Sequence, residues 1–199
     1  MLKIGVTGGM GSGKTTVCKV FEILGIPVFY ADAVAKSIMY TDQVLRQDII
    51  KSFGEKSYSE RGDLNRSYLS AIVFNSKTEL EKLNALVHPA VFRAFDLWVE
   101  SQEAVPYVVK EAALLFESDS YKMCDQTVLV KSPLEIRIER IKLRDGITRE
   151  EIESRMNRQF SDEVKEKLAD HILINDERQL LIPQILDLHS YFLGLDSLS

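Results

Sequence analysis

The most chemically specific segment of the sequence is a glycine-rich stretch close to its start. Residues 5–16 read GVTGGMGSGKTT, in which Gly8, Gly13, Lys14 and Thr15 meet the pattern Gly-x-x-x-x-Gly-Lys-[Ser/Thr]. Glycines allow backbone N–H groups to converge on an anion without obstruction by side chains. The lysine would reach the β- and γ-phosphates of a nucleotide, and the threonine hydroxyl would face Mg²⁺. The segment therefore predicts a phosphate-binding loop that takes a nucleoside triphosphate with Mg²⁺.

The segments on either side of this loop predict the strand and the helix that the motif requires. Before the loop, apolar residues alternate with others, at Leu2, Ile4 and Val6. This pattern indicates a short, mostly buried strand near one end of a sheet. After the loop, apolar residues recur at helical spacing, at Val17, Val20, Phe21 and Leu24. The N-terminus of that helix would add partial positive charge to the anion site, and Thr16 would bond the α-phosphate.

Composition and charge limit the classes of protein to consider. The chain has 199 residues, of which 45% are hydrophobic, and its net charge is −5. These values fit one compact domain with its own core and do not favour nucleic acid as a partner. Cys18 and Cys124 lie far apart without metal-ligand spacing, so we expect small core residues in a reducing cytosol and neither a disulfide nor a metal site.

Targeting signals are not expected either. No apolar run reaches the ~18 residues of a membrane span. The phosphate motif begins so early that it leaves no room for a signal peptide. We therefore expect a cytoplasmic protein with no membrane partner.

Hydrophobic patterns along the chain predict an α/β fold. Strand-like segments occupy residues 26–32, 105–110, 126–131 and 171–175. Helical patterns alternate with them, as in a parallel sheet flanked by helices. Between the second and third strands the pattern is almost wholly helical, with Pro89 expected to end one helix or begin the next.

This pattern predicts one domain over residues 1–199 with three parts. The core is expected to combine residues 1–35, 105–131 and 166–199. A helical insert would cover about 36–104, and a lid about 132–165. A capping box, Thr148 to Glu151, is expected to open a helix in the lid.

Other phosphate-loop classes lack their expected motifs here. No glycine has Asp three residues before it and no asparagine begins Asn-Lys-x-Asp, which disfavours a GTP switch. A motor-type ATPase would carry four apolar residues followed by Asp-Glu, and the nearest match, YVVKEA, is interrupted by Lys110. A small-molecule kinase is the class that the sequence favours.

Arginines are concentrated in the expected lid. They are Arg137, Arg140, Arg144, Arg149, Arg155 and Arg158. The first three share one helix face. We expect the set to close over phosphates, where an arginine at the transferring group is worth roughly 10³–10⁵ in rate. The alternative is a solvated charged face paired with glutamates such as Glu139 and Glu151.

Asp32 is the best candidate for the group that positions or deprotonates an acceptor hydroxyl. It follows the second expected strand, at the sheet edge where ligands of open α/β sheets bind. The alternative is a cap on the helix that begins with AVAKSIM, and the two roles are compatible.

Taken in order, these segments resemble the dephospho-coenzyme A kinases. IGVTGGMGSGKTT resembles that family's opening, YAD its Asp-Ala-Asp segment, and GDLNRSYLSAIVF its Gly-x-Leu-Asp-Arg stretch. The His-Pro of LNALVHPAV, then ALLFE, ERIKLRDGITREE, RMNRQ and ILIN follow in the same order. The loop alone is unspecific, whereas the ordered series is specific and runs through nearly the whole chain.

The resemblance implies an activity and a set of site residues. ATP, with Mg²⁺, would phosphorylate the ribose 3′-hydroxyl of dephospho-coenzyme A in the last step of coenzyme A synthesis. The fold would be P-loop kinase-like, with a parallel sheet core, a helical acceptor-binding insert and an Arg-rich lid, as a monomer or weak homo-oligomer. The ATP residues would be Gly11, Ser12, Gly13, Lys14, Thr15 and Thr16, with Asn175 near the adenine. The acceptor residues would be Asp32, Arg66, Phe74 and His88, and the lid would act through Arg140 and Arg144.

The chain departs from the family pattern at Tyr30, Asn65, Glu111 and Ala113, so the acceptor contacts are less specified than the reaction. Packing is the favoured alternative for Phe74, and a local cap is an equal alternative for His88. Two other functions stay open. One is a kinase for a nucleoside monophosphate, and the other is a non-catalytic module that reports ATP to a protein partner.

Overall fold

The chain forms two units, each with more contacts inside it than across to the other. In this computed structural model, residues 1–74 and 76–196 are described. One unit combines Met1–Tyr30 with the chain from Gln102 on, and the other is Ala31–Ser101. The expected core segment 166–199 includes residues 197–199, which lie outside the described residues. The division into acceptor insert and lid stays a prediction.

Five parallel strands form a sheet in the described part of the first unit. They are β1 (Leu2–Thr7), β2 (Val28–Tyr30), β3 (Tyr107–Glu111), β4 (Gln126–Lys131) and β5 (His171–Ile174), in the order β2-β3-β1-β4-β5. The predicted α/β fold with a parallel sheet is confirmed. The strands therefore end at one edge, where the loops that follow them come together.

The expected position of β1 near one end of the sheet is wrong. β1 is the central strand, with Val6 aligned to Glu111 of β3 and to Val128 of β4. The alternation is misleading at Gly5, because a Cβ there would lie 2.8 Å from a Leu115 methyl carbon. Gly5 therefore marks close packing on the second face of the sheet and not a solvent-facing position.

Helices α1 (Lys14–Ile23) and α9 (Leu181–Asp196) bury the main apolar core against the sheet. Alternate residues of the central strands point into this core because side chains of a strand alternate between faces. Its buried members are Ile4, Val6, Val17, Cys18, Phe21, Ile26, Tyr107, Val109, Val128, Val130, Leu173, Ile185 and Phe192. The core holds the strand that carries the phosphate loop against the helix that follows it.

Three helices lie between β4 and β5. They are α6 (Leu134–Asp145), α7 (Arg149–Met156) and α8 (Asp162–Leu168). The capping box at the start of α7 is confirmed, since Thr148 and Glu151 each bond the other's backbone N–H. A small buried cluster joins α6 to α7 through Ile138, Ile141 and Ile152, and Met10 of the phosphate loop packs against it.

The second unit is helical, as expected. Its helices are α2 (Ala31–Thr41), α3 (Gln43–Phe53), α4 (Arg66–Phe74) and α5 (Lys77–Glu100). The expected break at Pro89 is wrong, because Pro89 lies inside the continuous helix α5. Proline removes the hydrogen bond to the carbonyl of Ala85. Both residues are exposed, so water can replace that bond.

Candidate active site

The phosphate loop connects the central strand β1 to the start of α1. The N–H of Ser12 donates to the carbonyl of Gly9 at 3.1 Å, and the N–H groups of Thr16 and Val17 donate to that of Gly13 at 3.0 and 3.1 Å. Gly13 caps α1 with φ at +99°, a left-handed conformation that favours glycine. The loop and the first turn of α1 thus have the backbone arrangement of an anion site.

Three glycines allow other parts of the unit to touch the loop. A Cβ on Gly8 would collide with the carbonyl oxygen of Val130, and one on Gly9 with the guanidinium of Arg137. A Cβ on Gly13 would collide with the side-chain amide of Asn175. Gly8 is therefore required for the close approach of the β4 backbone, whereas Gly9 and Gly13 make room for the ends of side chains from α6 and from the segment after β5.

Lys14 bends back over the loop. Its side chain is nearly buried, at 9% exposure, and Nζ donates to the carbonyl of Gly8 at 3.0 Å and to that of Gly9 at 3.4 Å. Thr15 and Thr16 are exposed on the first turn of α1. The ammonium and the two hydroxyls therefore occupy the loop and the helix start that the motif predicts.

Arg140 and Asn175 meet at the loop. Arg140 Nη2 donates to Asn175 Oδ1 at 3.3 Å, and Nη1 donates to the carbonyl of Gly11 at 3.4 Å. Asn175 Nδ2 in turn donates to the carbonyl of Ser12 at 2.8 Å. Four of the expected site residues, contributed by the loop, α6 and the segment after β5, therefore form one hydrogen-bonded network.

Arg144 is not part of this network. Among the described residues, its hydrogen bonds run to the carboxylate of Asp145, at 2.7 and 2.9 Å, and its side chain is 64% exposed. The hydrogen bond that Arg144 donates to Asp145 raises the pKa of Arg144 above its ordinary value, so the guanidinium stays charged. Its role over the phosphates stays a prediction.

Arg137 lies nearer to the loop than its neighbour Arg144 does. It is nearly buried, pairs with Asp162 at 3.2 Å, and lies against Gly9. A cavity of about 650 Å³ adjoins it, lined in part by Gly9, Ser132 and Phe160. Sequence reasoning found Arg137 only as one member of an arginine face, because helical spacing does not distinguish a buried arginine from an exposed one on the same face.

Glu111 brings a carboxylate to the edge of the sheet beside the loop. It ends β3, is nearly buried, and is aligned with Val6 of β1 and Tyr30 of β2. Burial, and then the charge of Glu111, raise the pKa of the Cys18 thiol, while Lys14 lowers it. The negative charge of Glu111 and the positive charge of Lys14 therefore both act on the Cys18 thiol of α1. Cys18 and Cys124 are free thiols, and burial raises the pKa of Cys124 to about 11.

Tyr30, one of the departures from the family pattern, has its own partner. Burial raises the pKa of its phenol, and its hydroxyl is hydrogen-bonded to Glu22 of α1. The residue therefore remains neutral at physiological pH. It contributes a neutral hydroxyl where the family pattern has a carboxylate.

Gln159, Glu117 and Lys165 form a polar group beside the loop, in which Lys165 is buried and the other two are partly buried. Gln159 accepts from the N–H of Met10 at 2.9 Å. Glu117 Oε1 accepts from the N–H of Phe160 at 2.7 Å and pairs with Lys165, which is fully buried, at 3.1 Å. The sequence carried no signal for this group, since its members are spread over almost 50 residues, with Lys165 in α8 and the other two in separate turns.

Asp32 lies two residues beyond β2. The strand expected over residues 26–32 ends at Tyr30, and Asp32 is in the first turn of α2. Its side chain is exposed. A carboxylate in the first turn of a helix is stabilised by the partial positive charge there.

Arg66 and Asn65 form the start of α4. Asn65 Oδ1 accepts from the N–H of Tyr68 at 3.2 Å, so asparagine supplies the helix cap that an aspartate would. Arg66 Nε donates to the Tyr40 hydroxyl at 2.8 Å. Arg66 also lines a cavity of about 240 Å³ together with Lys36, Met39, Leu64, Leu69, Ser70, Val73 and Leu83.

Phe74 and His88 differ in burial. The favoured packing of Phe74 is wrong, because its side chain is 72% exposed. His88 is half-buried in α5 and its ring stacks on Phe92, with centroids 6.4 Å apart. Burial lowers the pKa of His88, so the imidazole is neutral near pH 7. Contact of either residue with an acceptor stays a prediction.

Residues 1–74 and 76–196 contain no group of three or more His, Cys, Asp or Glu side chains placed to hold a metal ion. No helix within the same residues is long and apolar enough to cross a membrane.

Comparisons with known proteins agree with the motifs. The family model for dephospho-CoA kinase matches residues 2–180. A dephospho-CoA kinase of Bacteroides fragilis is 38% identical over 190 residues, covering 96% of this chain and 92% of that protein. A dephospho-CoA kinase of Salinibacter ruber is 43% identical over 178 residues, covering 88% of this chain and 89% of that protein.

Solved structures show the same fold. A crystal structure from Thermus thermophilus superposes with a TM-score of 0.81 at 33% identity, covering 97% of this chain and 96% of that one. The dephospho-CoA kinase from Campylobacter jejuni gives a TM-score of 0.65 at 24% identity, covering 98% and 97%. Because the family model matches residues 2–180 of this chain, the chain belongs to the dephospho-CoA kinase family.

Proposed function

We propose that this chain transfers the γ-phosphoryl group of ATP to the ribose 3′-hydroxyl of dephospho-coenzyme A. The products are ADP and coenzyme A, and the reaction is the final step of coenzyme A synthesis. The observation that carries the proposal is the network around the phosphate loop, in which Lys14 covers Gly8 and Gly9 while Arg140 and Asn175 bind Gly11 and Ser12. Family membership supplies the acceptor.

The donor is held by the loop and its partners. Backbone N–H groups from Gly11 to Thr16 bind the phosphates at the start of α1, where the helix dipole favours negative charge. Lys14 moves with the β- and γ-phosphates, and Arg140 neutralises charge that builds up on the transferring group. Asn175, fixed by its bond to Ser12, stands near the adenine.

Mg²⁺ fits the groups that the loop offers. The Thr15 hydroxyl is exposed on the first turn of α1, and Glu111 places a carboxylate at the adjacent strand end. Mg²⁺ keeps several waters and takes one or two protein oxygens with substrate phosphates, so a dedicated cluster of acids is not required. When bound, the ion neutralises charge on the phosphates, and Thr15 and Glu111 are the residues that would hold it.

Asp32 acts on the acceptor. Its carboxylate accepts the proton of the ribose 3′-hydroxyl as that oxygen bonds to the γ-phosphorus and the bond to ADP breaks. Arg66, Phe74 and His88 belong to the helical unit that we assign to acceptor binding, and the helices between β4 and β5, with Arg144, to a lid. A closing lid would exclude the water that hydrolyses ATP.

The setting of the enzyme is proposed on chemical grounds. Its two free thiols, Cys18 and Cys124, suit a reducing cytoplasm, which also supplies ATP. Its net charge of −5 does not favour nucleic acid. We propose a monomer or weak homo-oligomer.

Product analysis tests the reaction. The protein is incubated with Mg·ATP and dephospho-coenzyme A, and the product is examined by mass spectrometry and by ³¹P NMR. One added phosphate on the ribose 3′-oxygen is expected. A phosphate on the 2′-oxygen or on the thiol-bearing arm, or ADP release without a phosphorylated acceptor, would contradict the proposal.

A further inference from the structure

We propose that Gln159 is a positioning residue that holds the phosphate loop in the shape that receives nucleotide. Its side-chain amide bridges two segments of the sheet unit. Oε1 accepts from the N–H of Met10 at 2.9 Å, and Nε2 donates to the carbonyl of Ala113 at 2.9 Å. Met10 is in the loop, and Ala113 follows β3. The inference rests on the proposed role of the loop as the ATP site.

The orientation of this amide is determined by its partners. A backbone N–H only donates and a backbone carbonyl only accepts, so the oxygen of Gln159 must face Met10 and its nitrogen must face Ala113. Only an amide of this length supplies both groups at once. A carboxylate would lack the donor, and an aliphatic side chain would lack both.

Gln159 is itself held from the other side. The next residue, Phe160, donates its N–H to Glu117 Oε1 at 2.7 Å. The same oxygen lies 3.1 Å from Nζ of the buried Lys165, which also approaches the Ala113 carbonyl at 3.4 Å. The ion pair between Glu117 and Lys165 therefore holds the turn that carries Gln159, and this turn has little freedom to move away from the loop.

Met10 is thereby fixed at two points. Its side chain packs against the small cluster of α6 and α7, and its N–H is bound by Gln159. The next residue, Gly11, has φ at +80°, and a Cβ there would lie 2.8 Å from the carbonyl oxygen of Arg137. The segment whose N–H groups would bind phosphate begins at Gly11, directly after Met10. Gln159 therefore fixes the backbone position from which that segment starts.

Loss of the hydrogen bond between Gln159 and the Met10 N–H should lower nucleotide affinity more than it lowers turnover. Loop amides that are already oriented bind phosphate without an ordering cost, and a loop that must be ordered on binding loses that advantage. The chemical step uses Lys14, Asp32 and Arg140, and within the described residues the hydrogen bonds of Gln159 run to Met10, Ala113 and Met156 and to none of these three. The split between affinity and turnover distinguishes positioning from catalysis.

The test compares Gln159→Met, which keeps the length and removes both hydrogen bonds, with wild type and with Gln47→Met on the exposed side of α3. Hydrogen exchange of the Met10 amide is followed by NMR, the Kd of Mg·ADP by calorimetry, and kcat and KM for ATP with dephospho-coenzyme A. Gln159→Asn, too short to span both partners, is the second variant if the first does not fold.

We expect faster exchange of the Met10 amide and a Kd for Mg·ADP raised about tenfold, from the loss of one or two hydrogen bonds, with kcat at saturating ATP nearly unchanged. Gln47→Met should match wild type in every measurement. An unchanged Met10 amide with unchanged Kd would overturn the proposal, as would a loss confined to kcat. The calorimetric titration contains no acceptor. An unchanged Kd for Mg·ADP would therefore count against the role of Gln159 and would not bear on dephospho-coenzyme A as the proposed acceptor.

Discussion

At the scale of single residues, Lys14 carries the most demanding assignment. Its ammonium lies 3.0 Å from the Gly8 carbonyl oxygen, which places its positive charge at the loop. Replacement by alanine removes the positive charge that follows the transferring phosphates. We expect Lys14→Ala to abolish phosphoryl transfer, measured as ADP release with dephospho-coenzyme A.

The matched control is Lys19→Ala, which removes an exposed lysine from the same helix. It should keep wild-type turnover. If Lys14→Ala retained turnover within a few-fold of Lys19→Ala, the loop would not be the phosphoryl-transfer site.

Asp32 allows a second prediction at this scale. Asp32→Asn keeps the size of the side chain and removes the base, so we expect turnover to fall by about 10²–10⁴ while ATP affinity barely changes. Steady-state kinetics and an ATP titration measure the two quantities. The control is Asp48→Asn, an exposed acid on α3. Equal turnover in the Asp32→Asn variant would remove Asp32 from the mechanism.

Single residues were predictable to the extent that their motif is local. The loop residues lie in one continuous segment, and the structure shows glycine at the loop positions whose left-handed backbone conformation favours it. Arg140 was expected as one of the lid arginines, Asn175 was expected only from the resemblance, and the hydrogen bond between them was not predicted. Arg137 and Arg144 share a helix face, and only packing decides that Arg137 is buried at Gly9 while Arg144 is exposed.

At the scale of elements, the ion pair between Glu117 and Lys165 joins α8 to the segment after β3. Lys165 is fully buried, and its Nζ lies 3.1 Å from Oε1 of Glu117. We expect Glu117→Gln to lower the free energy of unfolding by about 3–5 kcal/mol, since removal of one partner leaves a buried charge unpaired. Denaturant unfolding measures the change.

An exposed ion pair provides the comparison. Lys77 and Glu81 form one on α5, with side chains 90% and 65% exposed. Glu81→Gln should leave unfolding almost unchanged, because exposed pairs contribute little. A loss for Glu117→Gln as small as that for Glu81→Gln would mean that Lys165 finds another partner.

Elements were predictable where their patterns were complete. β4 occupies residues 126–131, as the pattern predicted, and α7 begins with its capping box. The errors arise where one residue type permits two structures. Gly5 resembles a solvent-facing position but marks close packing, and Pro89 resembles a helix end but is tolerated on an exposed helix face.

At the scale of the whole molecule, stability should fall in mild acid. His171 bonds Gln126 at 3.0 Å, and burial lowers its pKa below the ordinary value, against an opposing effect of Asp170. The unfolded chain therefore binds this proton at higher pH than the folded one does. Stability is lost as the pH falls below about 6.5, the ordinary value for histidine.

The prediction is checked with His171→Gln. Thermal unfolding of wild type and variant is recorded between about pH 7.5 and pH 5.5. We expect the Tm of wild type to fall more steeply over this range than that of the variant. Parallel curves would mean that His171 titrates alike in the folded and unfolded chain.

The organisation of the whole molecule was only partly accessible from the sequence. The alternation of strands and helices predicts the parallel sheet, because each element carries its own period. The extent of the helical unit, Ala31–Ser101, differs by a few residues from the expected 36–104 because α2 begins directly after β2. How the two units serve one reaction depends on acceptor binding, which no local pattern encodes.

The most direct test of the central claim is a coupled ADP-release assay with Mg·ATP and a panel of acceptors. The panel contains dephospho-coenzyme A, AMP, CMP, shikimate and a reaction without acceptor. We predict release with dephospho-coenzyme A alone, together with coenzyme A detected by mass. Release with AMP or CMP and none with dephospho-coenzyme A would contradict the account, as would nucleotide binding without release for any acceptor.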